Sequence, residues 1–290
     1  MTVWEGATAL VTGGGSGIGR ALALAMSRRG ARVVVTDINL DAARAVATAC
    51  GPSASAFALD VRHAAAVQER VEATADEHGR LDYLFNNAGI AAGGDAQEIA
   101  LPVWERLIDI NLRGVLHGVL AAYPIMIKQG SGHIVNTASL AGLGPAPLLA
   151  PYAMTKHAVV GLSTSIRIEA KAFGVRVSVL CPAAVETPLL DSTNPQDLPD
   201  VSWRPDMRRF LTKLAGPPYP VAKLADDALR AIERNQAVIV IPGRARLAWR
   251  LGRLAPWLVE TVSLGAVAAE RSNKSMGNGL PRAPRPPALS

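Results

Sequence analysis

The sequence predicts an α/β fold in three layers, with a parallel sheet covered by helices on both faces. Short apolar segments alternate with segments of helical periodicity along residues 8–241. The apolar segments lack a polar residue at every second position, which is typical of strands buried on both faces. The 290 residues, 49% of them hydrophobic and 19% charged, are enough for one large domain.

The periodicity places each element in turn. The predicted strands are Thr8–Thr12, Arg32–Thr36, Ala54–Leu59, Leu81–Phe85, His133–Thr137, Val175–Leu180 and Ala237–Ile241. The predicted helices are Ile18–Arg29, 40–49, 63–78, Pro102–Gln129, 152–172 and 221–235. The proline-punctuated stretch 188–220 predicts a substrate lid, with a plain surface excursion as the alternative.

A glycine-rich turn follows the first strand and begins the first helix. Gly13, Gly17 and Gly19 allow positive φ angles and a close approach of the backbone to a ligand. The N–H groups at the start of a helix suit a pyrophosphate. Their Gly-x-x-x-Gly-x-Gly spacing differs from the commonest dinucleotide pattern, so a loop that binds no nucleotide is the alternative.

An acidic residue ends the second strand. Asp37 lies 18 residues after Gly19, where a carboxylate is placed to accept hydrogen bonds from the adenosine ribose and to repel a 2′-phosphate. The sequence therefore predicts NAD in preference to NADP. An N-cap role for Asp37 or Asp41 is an alternative that is compatible with ligand binding.

Tyr152 and Lys156 lie four residues apart, so a helix places them on one face. An ammonium beside a phenol favours the phenolate, and we expect Lys156 to lower the pKa of Tyr152. Such a tyrosine exchanges a proton with an alcohol or carbonyl. A solvated surface pair is the common alternative, but Ser139, thirteen residues earlier, and Asn86-Asn87-Ala88-Gly89 favour a site.

These motifs together resemble those of the short-chain dehydrogenase/reductase family, over residues 5–243. The family combines a Thr-Gly-x-x-x-Gly-x-Gly turn, an Asn-Asn-Ala-Gly segment and an Asn, Ser, Tyr and Lys tetrad, all with counterparts here. The resemblance implies a Rossmann-like, doubly wound sheet of about seven strands, forming a single NAD-binding catalytic domain over residues 1–243. It also implies NAD(P)-dependent interconversion of a secondary alcohol and a ketone.

The resemblance also implies a role for each tetrad residue. Tyr152 would be the general acid/base, and Lys156 would lower its pKa and hold the nicotinamide ribose. Ser139 would bind the substrate oxygen. Asn111, in the middle of a helix where asparagine has poor propensity, would position a water in a proton path from Lys156.

The cofactor-binding residues follow from the same resemblance. They are Gly13, Ser16, Gly17, Ile18 and Gly19 for the pyrophosphate, Asp37 for the ribose, Asp60 and Val61 for adenine, Asn87, Ala88 and Gly89 for the adenosine half, Tyr152 and Lys156, and then Pro182, Val185 and Thr187 beside the nicotinamide. The family has Pro-Gly where this chain has Pro182-Ala183, so we expect a tighter site.

The excess of basic over acidic residues is confined to the end of the chain. Residues 1–242 contain 22 Lys/Arg and 22 Asp/Glu, and residues 243–290 contain 8 and 2, which accounts for the net charge of +6. This distribution argues against a nucleic-acid partner. Residues 244–265 predict an amphipathic basic helix that packs over the pocket or a partner subunit, lies on an anionic membrane, or is marginally stable. Residues 270–290 predict disorder.

The substrate is predicted to be apolar, such as a lipid, steroid or terpenoid alcohol. The predicted pocket wall consists of Leu143, Pro145, Leu148, Leu149, Leu189, Leu190 and Trp203.

The rival function is a catalytically silent nucleotide-sensing or scaffold protein of the same fold. Family habit implies a homodimer or homotetramer through helices 103–129 and 152–172.

Localisation and metal binding follow from what the sequence lacks. No signal-peptide pattern and no run of about 18 apolar residues occurs, so we expect a cytoplasmic protein, with membrane-peripheral contact as the alternative. Cys50 and Cys181 have no metal-ligand spacing, so no metal site is predicted.

Overall fold

A seven-stranded parallel sheet forms the centre of the protein. The computed structural model describes residues 3–192 and 194–277. The strands are β1 (Thr8–Thr12), β2 (Arg32–Asp37), β3 (Ala54–Ala58), β4 (Tyr83–Asn86), β5 (Gly132–Thr137), β6 (Val175–Pro182) and β7 (Val238–Ile241). Their order is β3-β2-β1-β4-β5-β6-β7, and each neighbouring pair is parallel. The predicted α/β, Rossmann-like fold is confirmed.

Helices cover both faces of the sheet. They are α1 (Gly17–Ser27), α2 (Leu40–Cys50), α3 (Ala64–His78), α4 (Leu101–Leu107), α5 (Gly114–Gln129), α6 (Ala150–Ala170), α7 (Met207–Ala215), α8 (Val221–Glu233), α9 (Gly243–Leu254) and α10 (Pro256–Gly277). One apolar core lies between the sheet and α1, α2 and α8. The other lies between the sheet and α3, α5 and α6. Burial on both faces explains why the strands are continuously apolar.

The long helix predicted between Pro102 and Gln129 is continuous but irregular. A π-helical segment, Ile108–Arg113, joins α4 to α5 and contains the buried Asn111. Leu101–Gln129 is long and apolar enough by composition to cross a membrane. In this fold the helix instead supplies buried side chains to the core, beside α3 and α6.

The end of the chain differs from the prediction for 244–265 and 270–290. Pro256 divides the predicted single helix into α9 and α10, because proline cannot continue a helix but is tolerated in its first turn. Helix α10 then continues to Gly277, past position 270 where disorder was predicted. Two ion pairs stabilise this extension, Glu270 with Arg209 and Arg271 with Asp95. Residues 278–290 lie outside the described residues.

A buried histidine lies in the middle of the sheet. His133 Nε2 is 2.8 Å from Ser178 Oγ, and that hydroxyl donates to the carbonyl of Gln236 at 2.6 Å. Because the hydroxyl proton is used, Nε2 must carry the imidazole proton and donate it. Burial, with added repulsion from Arg176 and Arg167, lowers the pKa of His133 to about 3.

We therefore predict that His133 makes the protein less stable in mild acid. The folded pKa lies below the unfolded value of about 6.5, so the unfolded chain binds a proton that the folded chain excludes, and stability falls as pH drops through this window. The cost by about pH 5 is about 2 kcal/mol. Urea unfolding across this range should give a shallower pH dependence for His133→Gln.

The matched control is His157→Gln, since His157 is exposed on α6. That variant should keep the pH dependence of the parent protein. Equal slopes for His133→Gln and the parent would contradict the assignment.

Candidate active site

A cavity of about 1490 Å³ lies at the carboxyl ends of the strands, which is where parallel sheets bind ligands. Most of the residues predicted from the sequence meet in its wall. They are Gly13, Ser16, Gly17, Ile18, Asp37, Asp60, Val61, Asn87, Ala88, Gly89, Ser139, Tyr152, Lys156, Pro182, Val185 and Thr187. Gly19 and Asn111 do not line the cavity.

Side-chain hydrogen bonds fix the edge of the sheet beneath this cavity. The Asn87 amide nitrogen donates to the carbonyls of Thr12 and Gly13 at 3.2 and 3.1 Å, and its oxygen accepts from Thr137 Oγ1 at 3.3 Å. The Thr12 hydroxyl accepts from the backbone N–H groups of Asn87 and Ala88. The segments after β1, β4 and β5 are thereby tied together.

The glycine-rich turn has the conformation expected of a pyrophosphate cradle. Gly13 and Gly17 have φ angles of +62° and +51°, and a Cβ on Gly13 would lie 2.7 Å from the Cα of Ala88. Ser16 begins α1 without a side-chain cap, so it leaves the first N–H groups of the helix for a ligand.

Gly19 has a packing role that was not predicted from the sequence. A Cβ at this position would lie 2.2 Å from the Gly13 carbonyl oxygen and 2.6 Å from the Asn87 side-chain nitrogen. Glycine is required here because α1 packs closely against the loop. Gly19 therefore lies behind the wall of the cavity.

Two carboxylates line the cavity where β2 and β3 end. Asp37 accepts hydrogen bonds from the backbone N–H groups of Gly15 and Asn39, each at 3.0 Å, so its carboxylate is held in place. Asp60 is bound by the guanidinium of Arg62, and this hydrogen bond is the main cause of its lowered pKa. Arg62 also lines the cavity, and the sequence analysis missed it.

Helix α6 places Tyr152 and Lys156 on the face toward the cavity, as the spacing predicts. Lys156 Nζ donates to the Thr137 carbonyl at 2.8 Å and lies 5.5 Å from the centroid of the Tyr152 ring. Ser139 follows β5, and its hydroxyl accepts from the Ala141 N–H at 3.2 Å. The three functional groups therefore converge on one end of the cavity.

Burial, rather than the neighbouring ammonium, dominates the titration of this pair. It raises the pKa of Tyr152, while a hydrogen bond with Ser139 opposes the shift only in part. The predicted lowering of the Tyr152 pKa by Lys156 is therefore wrong for the protein without ligand. Burial also lowers the pKa of Lys156 to about 8. Both shifts have one cause, since a low-dielectric site disfavours the phenolate and the ammonium alike.

Asn111 is a clamp between backbone segments. Its oxygen accepts from the Ile90 N–H and its nitrogen donates to the Ile90 carbonyl, both at 2.9 Å. The second amide hydrogen goes to Thr155 Oγ1 at 3.2 Å. These bonds explain a polar residue inside the helix. Both amide hydrogens are used within the protein, and the role of Asn111 in positioning a water stays a prediction.

The end of β6 and the segment after it also line the cavity. Pro182, Ala183, Val185 and Thr187 all line the cavity. Ala183 donates its backbone N–H to the Ile241 carbonyl at 2.8 Å. Alanine in place of the family's glycine is therefore held against β7.

Apolar side chains surround the part of the cavity beyond Tyr152. Five of the seven predicted wall residues line it: Leu143, Pro145, Leu149, Leu189 and Leu190. Leu148 is buried with a φ angle of +63° and does not line the cavity, and neither does Trp203. The C-terminal helices add Leu251, Leu258, Val259 and Val262, which agrees with one of the predicted alternatives for residues 244–265, a helix packed over the pocket.

The helices that contribute this wall are held to the rest of the fold by charge. Arg209 of α7 pairs with Glu270 of α10, whose side chain is 1% exposed. Arg271 pairs with Asp95, in the segment after β4. Arg208 binds both Glu186 and Asp191, so it joins α7 to the segment after β6. The predicted lid region 188–220 is thus part of the wall.

Solved structures are similar to this protein in fold, and curated proteins are similar to it in sequence. A short-chain dehydrogenase/reductase from Burkholderia phymatum, solved in complex with NAD, is 31% identical, with a TM-score of 0.80 over 89% of this chain and 96% of that one. Levodione reductase from Leifsonia aquatica is 37% identical over 64% of this chain and 72% of its own length. Cyclohexanol dehydrogenase from an Acinetobacter species is 37% identical over 63% and 74% respectively.

A family model described as short chain dehydrogenase matches residues 7–198, which include the glycine-rich turn, the asparagines after β4, Ser139, Tyr152 and Lys156. The chain belongs to the short-chain dehydrogenase family of oxidoreductases.

Proposed function

We propose that this protein interconverts an apolar secondary alcohol and the corresponding ketone, with NAD as the hydride acceptor or donor. The observation that carries the proposal is the convergence of Tyr152, Ser139 and Lys156 in a cavity that also contains the glycine-rich turn. Relatives named for cyclohexanol and levodione support alcohol and ketone chemistry.

The cavity wall fits a dinucleotide. The left-handed glycines and the uncapped start of α1 suit a pyrophosphate, and Asp37 suits the ribose that carries no 2′-phosphate. No lysine or arginine follows Asp37 directly, since the next residue is Ile38. When bound, NAD supplies the nicotinamide carbon that takes or gives the hydride.

The protein's own residues supply the proton and hold the reacting oxygen. Tyr152 Oη donates its proton to the carbonyl oxygen during reduction and takes it back from the hydroxyl during oxidation. Ser139 Oγ donates a hydrogen bond to the same oxygen and stabilises the charge that develops on it. Lys156, anchored by Thr137, is mostly an ammonium near pH 7 because its pKa is about 8.

The substrate is proposed to be apolar because the wall beyond Tyr152 is made mainly of leucine, proline and valine. Cyclohexanol is the simplest probe, followed by bulkier lipid, steroid or terpenoid alcohols.

The alternative is a nucleotide-sensing protein that binds NAD without turnover. That alternative is favoured by NAD binding in calorimetry together with no turnover on any alcohol or ketone of the panel.

We also propose a homodimer or homotetramer formed through the surfaces of α5 and α6. Leu120 on α5 and Ile168 on α6 are among the most exposed large apolar residues of the fold. Sedimentation at several protein concentrations tests this directly.

Tyr152→Phe is expected to lower turnover by about a hundredfold to ten thousandfold, since general acid/base catalysis is worth about that much. The phenyl ring preserves the packing, so the variant should still fold and bind NAD in calorimetry. Tyr123→Phe, on α5 and outside the cavity, is the matched control and should retain full activity. Substantial turnover by Tyr152→Phe would overturn the role of this residue.

The two reaction directions should respond differently to pH. Because the pKa of Tyr152 is raised, the residue is a phenol at neutral pH and is ready to donate a proton for reduction. Oxidation needs the phenolate, so kcat/KM for the alcohol should rise between about pH 7 and about pH 10, while kcat/KM for the ketone should stay level up to about pH 10 and fall only above it. A rate of oxidation that declines across this range would contradict the raised pKa.

Asp37→Asn tests the cofactor preference. The variant removes the negative charge, and its side-chain oxygen can still accept from Gly15. The ratio of kcat/KM for NAD to that for NADP should fall at least about tenfold, which corresponds to about 1.4 kcal/mol. Asp41→Ala removes an exposed carboxylate on the adjacent helix and should leave the ratio unchanged. An unchanged ratio in Asp37→Asn would refute its role.

A further inference from the structure

The outer side of α9 carries leucines where a surface helix normally carries charge. Ala245 and Trp249 face the core. Leu247, Leu251 and Leu254 lie on the opposite side of the helix, and each is more than half exposed, Leu254 by 84%. Packing against this protein accounts for only one side of α9, so the leucines need another partner.

The first turn of α10 extends this surface. Trp257 is 68% exposed, and Leu258 is about half exposed. We call Leu247, Leu251, Leu254, Trp257 and Leu258 the apolar edge. Isolated exposed apolar residues are ordinary, but five large ones within twelve residues make a patch that is typical of an interaction site.

Arginines flank the apolar edge. Residues 243–264 contain four arginines and one acidic residue, Glu260. Among the side chains that the structure describes, no carboxylate lies within 4.0 Å of Arg250 or Arg253. Arg253 lies over the ring of Trp249, at 5.7 Å from its centroid. This cationic charge is therefore available to an anionic partner.

We propose that the apolar edge docks the protein on an anionic lipid bilayer. Leucine and tryptophan enter the boundary between headgroups and acyl chains, where tryptophan is enriched, and the arginines contact the lipid phosphates. Each basic side chain near such a surface contributes about 1 kcal/mol. A second copy of this chain fits less well, because a two-fold contact would place the unpaired arginines of one edge against those of the other.

The docked surface shares residues with the wall of the cavity. Leu251 and Leu258 belong to the apolar edge and also line the cavity, together with Val262. An apolar substrate dissolved in the bilayer therefore has a continuous apolar path from the lipid to the wall beside Tyr152. Docking itself does not depend on the proposed chemistry and is tested separately from turnover.

The test is flotation of the full chain with vesicles of phosphatidylglycerol and phosphatidylcholine in equal parts, compared with phosphatidylcholine alone. We expect binding to the anionic vesicles only. Leu254→Ser with Trp257→Ser should weaken partitioning at least about tenfold, because both side chains lose their apolar burial in lipid. Arg250→Glu should weaken it about tenfold as well, since it reverses one charge.

The variants have matched controls. Phe173→Ser removes an exposed aromatic residue elsewhere on the surface and should float like the parent protein. Leu254, Trp257 and Arg250 do not line the cavity, so their variants should keep the parent's affinity for NAD and its thermal unfolding temperature. Both measurements report folding independently of turnover.

Three results would overturn the proposal. The first is a parent protein that does not float with anionic vesicles. The second is flotation that Leu254→Ser with Trp257→Ser leaves unchanged. The third is a sedimentation coefficient that this double variant lowers, without any vesicle binding by the parent, since this would show that a second copy covers the edge.

Discussion

Hydrogen bonds between side chains that follow neighbouring strands fix the carboxyl edge of the sheet, and the site is built on that edge. Asn87 joins the carbonyls after β1 to the threonine that ends β5. Deeper in the sheet, the Asn86 amide donates to Asn136, and Asn136 donates to Ser163 of α6, both at 2.9 Å. These bonds hold the ends of β4 and β5 at a fixed distance from each other and from α6. The ammonium of Lys156, bonded to Thr137, takes its position from the same network.

The electrostatics of the site follow from this enclosure. A tyrosine and a lysine at the bottom of an apolar cavity both titrate closer to their neutral forms than they would in water. The opposite charges do not form a close pair here, because Lys156 is directed to a backbone carbonyl. Near pH 7 the site therefore holds a neutral phenol beside a buried ammonium, and a neutral phenol is the form that can donate a proton to a carbonyl oxygen.

The strands and the glycine-rich turn could be predicted from local sequence. The remaining features of the fold and the site depend on contacts between residues that are distant in the sequence. Buried parallel strands are apolar throughout, so their positions could be predicted, and glycines with positive φ identify the nucleotide turn. The packing of side chains between distant segments could not be predicted from local sequence patterns. Gly19 lies close to the Gly13 carbonyl and the Asn87 side chain, and Asn111 binds the backbone of Ile90, and neither contact could be predicted from the local sequence. The order of α10 depends on Asp95 and Arg209, which are far away in the sequence.

Two separate stretches of the chain form the wall of the cavity. The residues proposed to bind the cofactor and move the proton lie between Gly13 and Thr187, inside residues 7–198, which the family model matches. Much of the wall around the substrate comes from α9 and α10, which lie beyond that span. Changes in α9 and α10 can therefore alter the wall around a substrate without altering the residues proposed to bind the cofactor and move the proton. New substrates can therefore arise by changing the wall while the reaction stays the same.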